Sequence, residues 1–477
     1  MNAREFIVCG KRKRSDRHLD VINPYTGDVF DRICLCGEEE IEETITGSTE
    51  AFKKTSALAG YEKMRILERL AELIGENRDK FIEILINEGG KVRSLASAEV
   101  DRSIETIKIS GEEAVRQTGD IIPLDRTEAG RGYTCFSRRF PVGTVLAITP
   151  FNYPLNLACH KIGPAIAAGN PFILKPASKT PVSGLLLGEL VLEAGYPPEA
   201  VSVVPCESRL AEKMVRDEKI AFLSFTGSPG VGWHLKSIAG RKKVSLELGG
   251  NAAAIVHSDA DLEYTASRIA TGACANAGQV CISVQRVFVQ NAVCREFLER
   301  LSSAFESLKY GNPDKSDTFV GPMISKEAAG EAWRKVQAAI SGGAKIISGG
   351  NYDGKTISPT IITDTTPEME INSTEIFAPV VTVTPYERFS EAVDLTNNSV
   401  YGLQAGVFTS DIGNAFYAYE KIEAGGVIIN DIPTFRVDVM PYGGVKMSGL
   451  GREGPAYALA EMTEQKIMVI RQKPAVD

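Results

Sequence analysis

The chain has 477 residues, of which 43% are hydrophobic and 24% are charged, and its net charge is −8. This length predicts two or three domains, and the acidic balance argues against a nucleic-acid partner. No stretch reaches the ~20 consecutive apolar residues that a membrane span needs, and the first residues lack the apolar core of a signal peptide. The one compact basic run, residues 11–14 followed by Arg17, is predicted to be a solvated turn rather than a binding arm.

The nine cysteines are an odd number spread along the chain, which argues against a disulfide framework. Cys34 and Cys36 are too close for a comfortable bridge. The four histidines are not spaced with cysteines as in a zinc site. We therefore expect no metal, free thiols and a reducing, cytoplasmic compartment.

The first third of the chain is predicted to be mostly helical. Apolar residues recur at helical spacing over residues 61–88, where a glycine pair ends the run, and again over residues 99–116. Residues 121–139 are different, because proline, glycine, threonine and the alternating pair Tyr133 and Cys135 predict an extended ribbon.

The middle of the chain alternates short apolar strands with helices. Helices are predicted at residues 154–168 and 181–195, the second with Pro181 at its first position. The alternation predicts an α/β fold with a parallel, doubly wound sheet. Such sheets bind ligands beyond the carboxyl ends of their strands, so the loops after the strands are the candidate site. The predicted strands are residues 142–149, 172–175, 201–204, 221–225 and 244–248.

Two of these loops carry candidate binding groups. In TPFNYP (149–154) two prolines brace Asn152, as an amide that stabilises an oxyanion requires. For Asn152 taken alone, a cap of the following helix is the better explanation. In LKPAS (174–178) Lys175 precedes a proline and can reach a ribose or phosphate, although a surface lysine is the commoner explanation.

Two further loops add an anion site and a carboxylate. FTGSPGVG (225–232) has the glycine turn and helix start of an anion site, but a tight turn explains it nearly as well. In LELGG (246–250) Glu247 lies between two leucines, where burial would raise the pKa of its carboxyl group toward the range of a general base. A glutamate on the polar face of a strand is the alternative.

Cys281 in GQVCIS (278–283) follows a segment of small residues, 271–278, which leaves the approach to its sulfur open. Any single cysteine is more often an inert packing residue than a nucleophile. A nucleophilic role is favoured here by the order of features along the chain: the amide loop, the lysine loop, the helix-start glycines, the glutamate and then the cysteine.

With FNYP, LELGG, GQVC, EIFAPV (375–380) and GGVKMSGLGREG (443–454) in one chain, the sequence resembles the aldehyde dehydrogenase superfamily over essentially its whole length. The resemblance implies that Cys281 attacks an aldehyde, that Asn152 and the Cys281 backbone N–H stabilise the oxyanion, and that Glu247 activates water against the thioester. It also implies a proton path through Lys161 and Glu453. The implied cofactor-binding residues are Thr149, Pro150, Lys175, Ser178, Gly227, Ser228, Glu375 and Phe377.

The resemblance implies NAD or NADP as the cofactor. Strict NAD users in this superfamily commonly carry a glutamate at the position of Ser178, which repels a 2′-phosphate. Serine there, with Lys175 nearby, predicts that NADP is accepted and preferred, with dual use still open. Glu247 favours hydrolysis over transfer of the acyl group to coenzyme A, since acylating members typically lack this base.

The segments 160–170, 278–284 and 430–454 resemble the lactaldehyde dehydrogenase-like branch. We therefore expect a short hydroxyaldehyde substrate such as lactaldehyde or glyceraldehyde. A non-phosphorylating glyceraldehyde-3-phosphate dehydrogenase or a succinic semialdehyde dehydrogenase is the alternative. Arg116 and Arg436 match arginines that bind an anionic substrate, with an exposed helix position and a loop-bracing role as their structural alternatives. Val280 stands where the phosphate-binding enzymes carry an arginine, which weakens that alternative.

The family fold implies three parts. A dinucleotide-binding domain comprises residues 1–118, 140–248 and 430–457, and a catalytic domain comprises residues 249–429. A small β extension, residues 119–139 and 458–477, would pair with a neighbouring subunit, which predicts a homodimer or homotetramer. The remaining alternatives are an inactive structural homologue, disfavoured because nucleophile, base and oxyanion donor are all present, and a cysteine hydrolase, disfavoured because no histidine is near Cys281 in sequence.

Overall fold

Strands and helices alternate along most of the chain in the computed structural model, which describes residues 3–472. The strands are β1 (Phe6–Val8), β2 (Lys11–Lys13), β3 (His18–Ile22), β4 (Val29–Cys34), β5 (Ile121–Ile122), β6 (Tyr133–Pro141), β7 (Val145–Ile148), β8 (Phe172–Lys175), β9 (Val201–Val203), β10 (Phe222–Thr226), β11 (Lys243–Glu247), β12 (Ala252–Val256), β13 (Val284–Gln290), β14 (Lys345–Ser348), β15 (Thr360–Thr363), β16 (Val380–Tyr386), β17 (Tyr401–Gly402), β18 (Gln404–Phe408), β19 (Gly426–Ile429), β20 (Val445–Lys446), β21 (Gly449–Leu450) and β22 (Thr463–Arg471).

The helices cover the faces of the sheets. They are α1 (Glu38–Thr55), α2 (Gly60–Glu76), α3 (Arg78–Gly89), α4 (Arg93–Arg116), α5 (Pro154–Ala168), α6 (Val182–Glu193), α7 (Ser208–Arg216), α8 (Pro229–Ile238), α9 (Leu262–Cys274), α10 (Asn291–Ser307), α11 (Lys326–Ser341), α12 (Glu370–Ser373), α13 (Phe389–Asn397), α14 (Ile412–Lys421) and α15 (Pro455–Glu461). Within residues 3–472, no helix combines the length and the apolarity that crossing a membrane requires.

The first sheet has eight strands in the order β2-β1-β9-β8-β7-β10-β11-β21. Its centre is parallel, because β7 pairs with β8 and β10, and β10 pairs with β11, all in the same direction. All four residues of β7 are buried, as expected for a parallel strand with helices on both faces. The carboxyl ends of β7, β8, β10 and β11 therefore meet at one edge.

The second sheet has seven strands in the order β14-β15-β16-β13-β12-β18-β19, all parallel except β14. Residues 248–251 are the whole connection between β11 and β12, so the chain crosses there from the first sheet into the second. Each sheet has its own hydrophobic core, built around Leu146 and Phe172 in the first and around Val287 and Val381 in the second.

The third sheet has three strands in the order β22-β6-β5, and β22 pairs with β6 along nine residues. The strand β21, inside the predicted return segment 430–457, joins the first sheet beside β11. The predicted α/β class with a parallel sheet is confirmed by this topology. The domain boundaries stay a prediction, and residues 1, 2 and 473–477 of the predicted domains lie outside the described residues.

Three local predictions were wrong. Residues 61–88 form two helices, α2 and α3, because Asn77 ends α2 by donating its side-chain N–H to the Leu73 carbonyl. The apolar spacing continues across this break, so periodicity gives no sign of it. Residues 11–13 form the edge strand β2 rather than a turn, with exposed charges that suit an unpaired edge. Pro181 precedes the first residue of α6 rather than occupying it.

Candidate active site

A cavity of about 460 Å³ lies beyond the carboxyl ends of β7, β8, β10 and β11, within the size range of small-molecule sites. Residues from both large sheets form its walls. Its lining includes these sequence-predicted residues: Thr149, Pro150, Asn152, Lys175, Ser178, Gly227, Ser228, Glu247, Cys281, Glu375, Phe377, Arg436 and Glu453. Lys161 lies behind the wall and contacts Glu453. Only Arg116 among the predicted site residues lies away from this region.

The pair Gly249-Gly250 after β11 lets three parts of the site meet. A Cβ at Gly249 would lie 2.5 Å from a carboxylate oxygen of Glu375, and one at Gly250 would lie 2.2 Å from the Cys281 carbonyl oxygen. Neither position has room for a side chain. The Gly250 N–H donates to Glu375 over 2.9 Å. The glycines therefore bring Cys281 and Glu375 against the end of the strand that carries Glu247.

The Asn152 side chain does not cap α5, because it crosses to the segment that leads to Cys281. Its Nδ2 donates to the Gln279 carbonyl over 2.9 Å. Its backbone carbonyl accepts from the Lys91 ammonium over 2.7 Å and from the Asn276 amide over 3.2 Å. An amide nitrogen carries two hydrogens, so this bond uses one and leaves the second without a partner in the described residues.

Lys91 is a buried cation that holds this loop in place. It pairs with the buried Glu99 carboxylate, and its ammonium lies 3.8 Å from the centroid of the Tyr153 ring. Glu99 in turn accepts from the backbone N–H groups of Leu155 and Asn156 at the start of α5. The loop that carries Asn152 is therefore rigid, as preorganised stabilisation of an oxyanion requires.

Cys281 is partly exposed at the cavity wall, among the buried residues Val280, Ile282, Leu403 and Tyr442. Burial raises the pKa of the Cys281 thiol to about 12, although its hydrogen bond to Tyr442 acts in the opposite direction. The Tyr442 hydroxyl lies 3.0 Å from the Cys281 sulfur.

Cys274, the thiol seven residues before Cys281, lies fully buried in the hydrophobic core of the second sheet. Burial raises its pKa far above the usual range of a thiol. Cys274 is therefore a packing residue. All nine cysteines of the chain lie within the described residues and are free thiols.

Glu247 is a buried carboxyl group at the end of β11. Neither of its carboxylate oxygens has a hydrogen-bond partner within residues 3–472. Burial raises the pKa of Glu247 well above its ordinary value, and the negative charge of Glu453 raises it further. A carboxyl group in these surroundings keeps its proton to a higher pH than an exposed glutamate does, and its ionised form is a stronger base.

Glu453 is equally buried but is paired. Its carboxylate accepts from Lys161 over 2.8 Å and from Arg436 over 3.4 Å, and Lys161 also donates to Ser224 over 3.0 Å. Burial alone would raise the pKa of Glu453, but nearby positive charge, chiefly that of Lys161, outweighs it and lowers the pKa to about 2. No hydrogen bond in the described part of the chain joins this pair to Glu247, so a proton path between them stays a prediction.

Arg436 connects this pair to a second buried acid. Its guanidinium lies 3.4 Å from Glu453 and 4.0 Å from Asp438, while its Nε is buried without a hydrogen-bond partner in the described residues. Asp438 also pairs with Arg102 over 2.6 Å and with His160 over 2.9 Å. Burial lowers the pKa of His160, so the imidazole is neutral.

The far end of the cavity carries polar groups that fit a dinucleotide. Lys175 and Ser178 lie at this end. The Lys175 ammonium is partly buried, and burial lowers its pKa. Ser228 is the N-cap residue of α8, but its hydroxyl makes no capping hydrogen bond. Near Cys281, burial raises the pKa of Glu375 to about 7. Hydroxyls, an ammonium and a helix N-terminus suit phosphate and ribose, and a carboxylate suits a ribose hydroxyl.

The structure places Arg116, a predicted substrate-binding residue, outside the cavity. Arg116 is the last residue of α4, where its side chain is 61% exposed and pairs with Glu112 and Glu113 one turn earlier. A larger cleft of about 1060 Å³ lies near that helix end, between it and the third sheet. This cleft contains none of the predicted site residues.

Five residues around the cavity were not predicted from the sequence: Lys91, Arg102, His160, Asp438 and Tyr442. Two signals were available. Tyr442 directly precedes the singled-out GGVKMSGLGREG segment, and His160 directly precedes Lys161. The remaining three depend on contacts between distant parts of the chain, such as Arg102 with Asp438. Within residues 3–472, no group of three or more His, Cys, Asp or Glu side chains is arranged to hold a metal.

Comparison with known proteins identifies one family. A model of the aldehyde dehydrogenase family matches residues 11–468. The chain is 42% identical to the 3-sulfolactaldehyde dehydrogenase of Priestia aryabhattai, over 98% of this chain and 97% of that protein. It is 37% identical to the lactaldehyde dehydrogenase of Methanococcus vannielii, over 95% of this chain and 97% of that protein.

Solved structures agree with these relatives. The fold matches aldehyde dehydrogenase 21 of Physcomitrella patens, in complex with the reaction product succinate, with a TM-score of 0.97, 41% identity and full coverage of both chains. It matches the glyceraldehyde-3-phosphate dehydrogenase GapN of Methanocaldococcus jannaschii, complexed with NADP, with a TM-score of 0.92 and 37% identity over 96% of this chain and all of that one.

Proposed function

Because the chain belongs to the aldehyde dehydrogenase family and is an NAD(P)-dependent oxidoreductase, we propose that it oxidises a short hydroxyaldehyde of the lactaldehyde type to the acid through Cys281. Within that class we favour an aldehyde that carries one negative charge at the end remote from the carbonyl. The observation that carries this choice is the buried Nε of Arg436, which lines the cavity without a hydrogen-bond partner in the described residues.

We propose that the Cys281 thiolate adds to the aldehyde carbon and that the free N–H of the Asn152 amide, with the Cys281 backbone N–H, stabilises the resulting oxyanion. Bound NAD or NADP would supply the acceptor for the hydride that leaves the thiohemiacetal carbon, and the product left on Cys281 is a thioester. Glu247 then takes a proton from water as that water attacks the thioester, the C–S bond breaks, and the acid leaves with the thiolate restored.

The residues proposed to hold the cofactor fall into three groups along the cavity. Lys175 and Ser178 would bind the adenosine end, and Thr149 with Pro150 would form its wall. Gly227 and Ser228 at the start of α8 would face the pyrophosphate. Glu375 and Phe377 would position the nicotinamide end beside Cys281. Phe377 has a left-handed φ of 54° and packs edge-on against Phe151, a strained arrangement typical of ligand-binding positions.

The proposed substrate charge follows from the ionic cluster around Arg436. Burial raises the pKa of Glu247 and lowers that of His160, which favours the uncharged form of each, so that three cations face two carboxylates. These are Lys161, Arg102 and Arg436 against Glu453 and Asp438. One positive charge is left over, and a monoanionic sulfonate or carboxylate would neutralise it. A doubly charged phosphate would exceed it, and Val280 adds no second cation.

A substrate panel tests this proposal. We expect sulfolactaldehyde to have the highest kcat/KM, followed by succinic semialdehyde, which also carries one negative charge, and then by lactaldehyde. Neutral propanal and glyceraldehyde-3-phosphate should be poorer. A clear preference for glyceraldehyde-3-phosphate, or equal values for sulfolactaldehyde and lactaldehyde, would contradict the charge argument.

Arg436→Met gives the matched test at the residue level. The ratio of kcat/KM for sulfolactaldehyde to that for lactaldehyde should fall by about 10- to 150-fold, the worth of a charged hydrogen bond of about 1.5–3 kcal/mol. The lactaldehyde value controls for general damage. Arg116→Met, which changes an exposed arginine outside the cavity, should leave the ratio unchanged.

The preference for NADP is proposed from Ser178, which is exposed at the turn after β8 and lines the cofactor end of the cavity. Ser178→Glu should shift the ratio of kcat/KM for NADP to that for NAD toward NAD, because a carboxylate repels the 2′-phosphate. An unchanged ratio would show that Ser178 does not face the adenosine ribose.

A homodimer or homotetramer and a cytoplasmic location are also proposed. The edge strand β22 exposes Ile467, Met468, Val469 and Ile470 by 44–58%, an apolar edge that a second copy would cover. Light scattering at micromolar concentration should give a mass of at least two chains, whereas a monomer would contradict the proposal. Free thiols at all nine cysteines support a reducing compartment.

A further inference from the structure

Tyr442 is the residue whose side chain hydrogen-bonds to the proposed nucleophile in the described residues. Its hydroxyl lies 3.0 Å from the Cys281 sulfur, and the Tyr442 side chain is buried among the apolar residues around that sulfur. We propose that the Tyr442 hydroxyl is a catalytic group that donates a hydrogen bond to the Cys281 thiolate and so both populates and aims the nucleophile. The proposal rests on the proposed role of Cys281 as the nucleophile.

The backbone and ring of Tyr442 are fixed on several sides. Its N–H donates to the Glu453 carbonyl over 3.0 Å, and its carbonyl accepts from the Glu453 N–H over 2.6 Å. The Arg436 guanidinium lies over the ring, 3.7 Å from its centroid. The hydroxyl is therefore held at the sulfur before any substrate arrives, as preorganised stabilisation requires.

The direction of this hydrogen bond follows from the chemistry of the two groups. A thiolate has no proton to donate, so in the reactive state only the phenol can be the donor. Burial and the nearby sulfur raise the pKa of Tyr442 well above its ordinary value, which keeps the phenol protonated. A cation over the ring withdraws electron density from it and makes the phenol a stronger donor.

The other charged and titratable groups near the sulfur do not replace this donor. Carboxylates disfavour a thiolate, and the Arg436 guanidinium favours one by its charge but makes no hydrogen bond to the sulfur in the described residues. Tyr153 packs against the same apolar cluster but makes no hydrogen bond to Cys281 in the described residues. The groups that face the sulfur are Tyr442, Tyr153, Arg436, Glu247 and Glu375.

A donor to the thiolate has two opposing effects on its rate of attack. Loss of the hydrogen bond would raise the thiol pKa by about one unit, which cuts the thiolate fraction about tenfold below that pKa. The remaining thiolate becomes about threefold more nucleophilic, because nucleophilicity rises with basicity with a slope of about 0.4–0.5. The net expectation for Tyr442→Phe is an attack rate about threefold slower at every pH below the thiol pKa.

Alkylation of Cys281 by iodoacetamide measures the rate of thiolate attack without requiring turnover. The reaction is run at pH values between about 6 and 10, and the modified Cys281 peptide is quantified by mass spectrometry. Mass spectrometry distinguishes this peptide from those that carry the partly exposed Cys9 and Cys294. Tyr442→Phe should be about threefold slower throughout. Tyr153→Phe, which removes a hydroxyl from the same cluster and keeps the ring beneath Lys91, should match the unmodified protein.

A fluorinated tyrosine at position 442 distinguishes a hydrogen-bonding role from a packing role, because a packing role would leave the alkylation rate unchanged. Tyr442→3-fluorotyrosine keeps the shape of the ring but makes the phenol more acidic, so the Cys281 pKa should fall and alkylation below it should be faster. Equal rates in Tyr442→Phe and the unmodified protein, equal slowing in Tyr153→Phe, or no response to fluorination would overturn the proposal. Full dehydrogenase activity in Cys281→Ala would instead overturn the proposed function and leave the alkylation result standing.

Discussion

Two glutamates at the floor of the cavity are equally buried and have opposite surroundings. Glu453 lies in an ionic region where Lys161 and Arg436 contact its carboxylate, whereas Glu247 lies at a strand end where neither oxygen has a partner in the described residues. The pKa of Glu453 is lowered and that of Glu247 is raised. Burial alone therefore does not decide the charge of a carboxyl group, because its partners do. The unpaired glutamate is the one suited to accept a proton.

The largest expected difference between the two regions is in turnover. Glu247→Gln removes the proposed base and should lower kcat by about 10²–10⁴-fold, the usual contribution of a general base. Glu453→Gln is an equally conservative change a short distance away and should lower kcat by less than about tenfold. The measurement is the steady-state rate of reduced cofactor formation at saturating aldehyde. Similar losses in both variants would contradict the division of roles.

The ionic region should dominate stability. Lys161→Met leaves the Glu453 carboxylate buried without its main partner and should lower the free energy of unfolding by about 3–5 kcal/mol, as measured by urea and thermal unfolding. The double variant Lys161→Met with Glu453→Gln should recover most of that loss, because no uncompensated charge remains. A double variant as unstable as the single one would show that Lys161 acts through packing.

The pH dependence of stability should have opposite signs for the two glutamates. In the unfolded chain both carboxyl groups have a pKa near 4.5. Paired Glu453 contributes stability that is complete above pH 4.5 and is lost as the pH falls toward about 2. Glu247 has the opposite effect, because the folded protein loses stability as the pH rises from 4.5 toward its raised pKa.

Unfolding curves from about pH 3 to 8 therefore separate the two groups. Relative to the unmodified protein, Glu453→Gln should become less stable as the pH rises, and Glu247→Gln should become more stable. Parallel changes in the two variants would mean that the two carboxyl groups titrate alike.

The smallest expected effect is the influence of one glutamate on the other. Glu453→Gln removes a negative charge that raises the pKa of Glu247. Where hydrolysis limits turnover, kcat rises with pH as Glu247 loses its proton. In Glu453→Gln this rise should therefore occur at a pH lower by up to about one unit. Movement to higher pH would mean that the loss of Glu453 acts on a group other than Glu247.

Local patterns in the sequence predicted much of the fold. The helix Pro154–Ala168 and the strand Phe172–Lys175 have the predicted bounds, because proline, glycine and runs of apolar residues determine where such elements begin and end. The break between α2 and α3 at Asn77 was not predicted, because it depends on one side-chain hydrogen bond. Motifs at strand ends brought most candidate site residues to one cavity, since parallel strands end at the same edge.

Contacts between distant segments could not be predicted in the same way. Arg116 and Arg102 are both arginines on α4, and only their surroundings distinguish them. Arg116 pairs with its own helix in solvent, whereas Arg102 reaches Asp438 across the fold. The hydrogen bond between Tyr442 and Cys281 likewise joins residues that are 161 positions apart. Periodicity and composition carry no information on such pairs.

The central claim is that a thioester forms on Cys281 and that Glu247 releases it by hydrolysis. The most direct test is acid quenching of Glu247→Gln after mixing with NADP and sulfolactaldehyde, followed by mass spectrometry of the Cys281 peptide. We predict a burst of about one reduced cofactor per active site, with a matching acyl adduct on Cys281 that persists. A burst without an adduct on Cys281, or full turnover without a burst, would contradict the account.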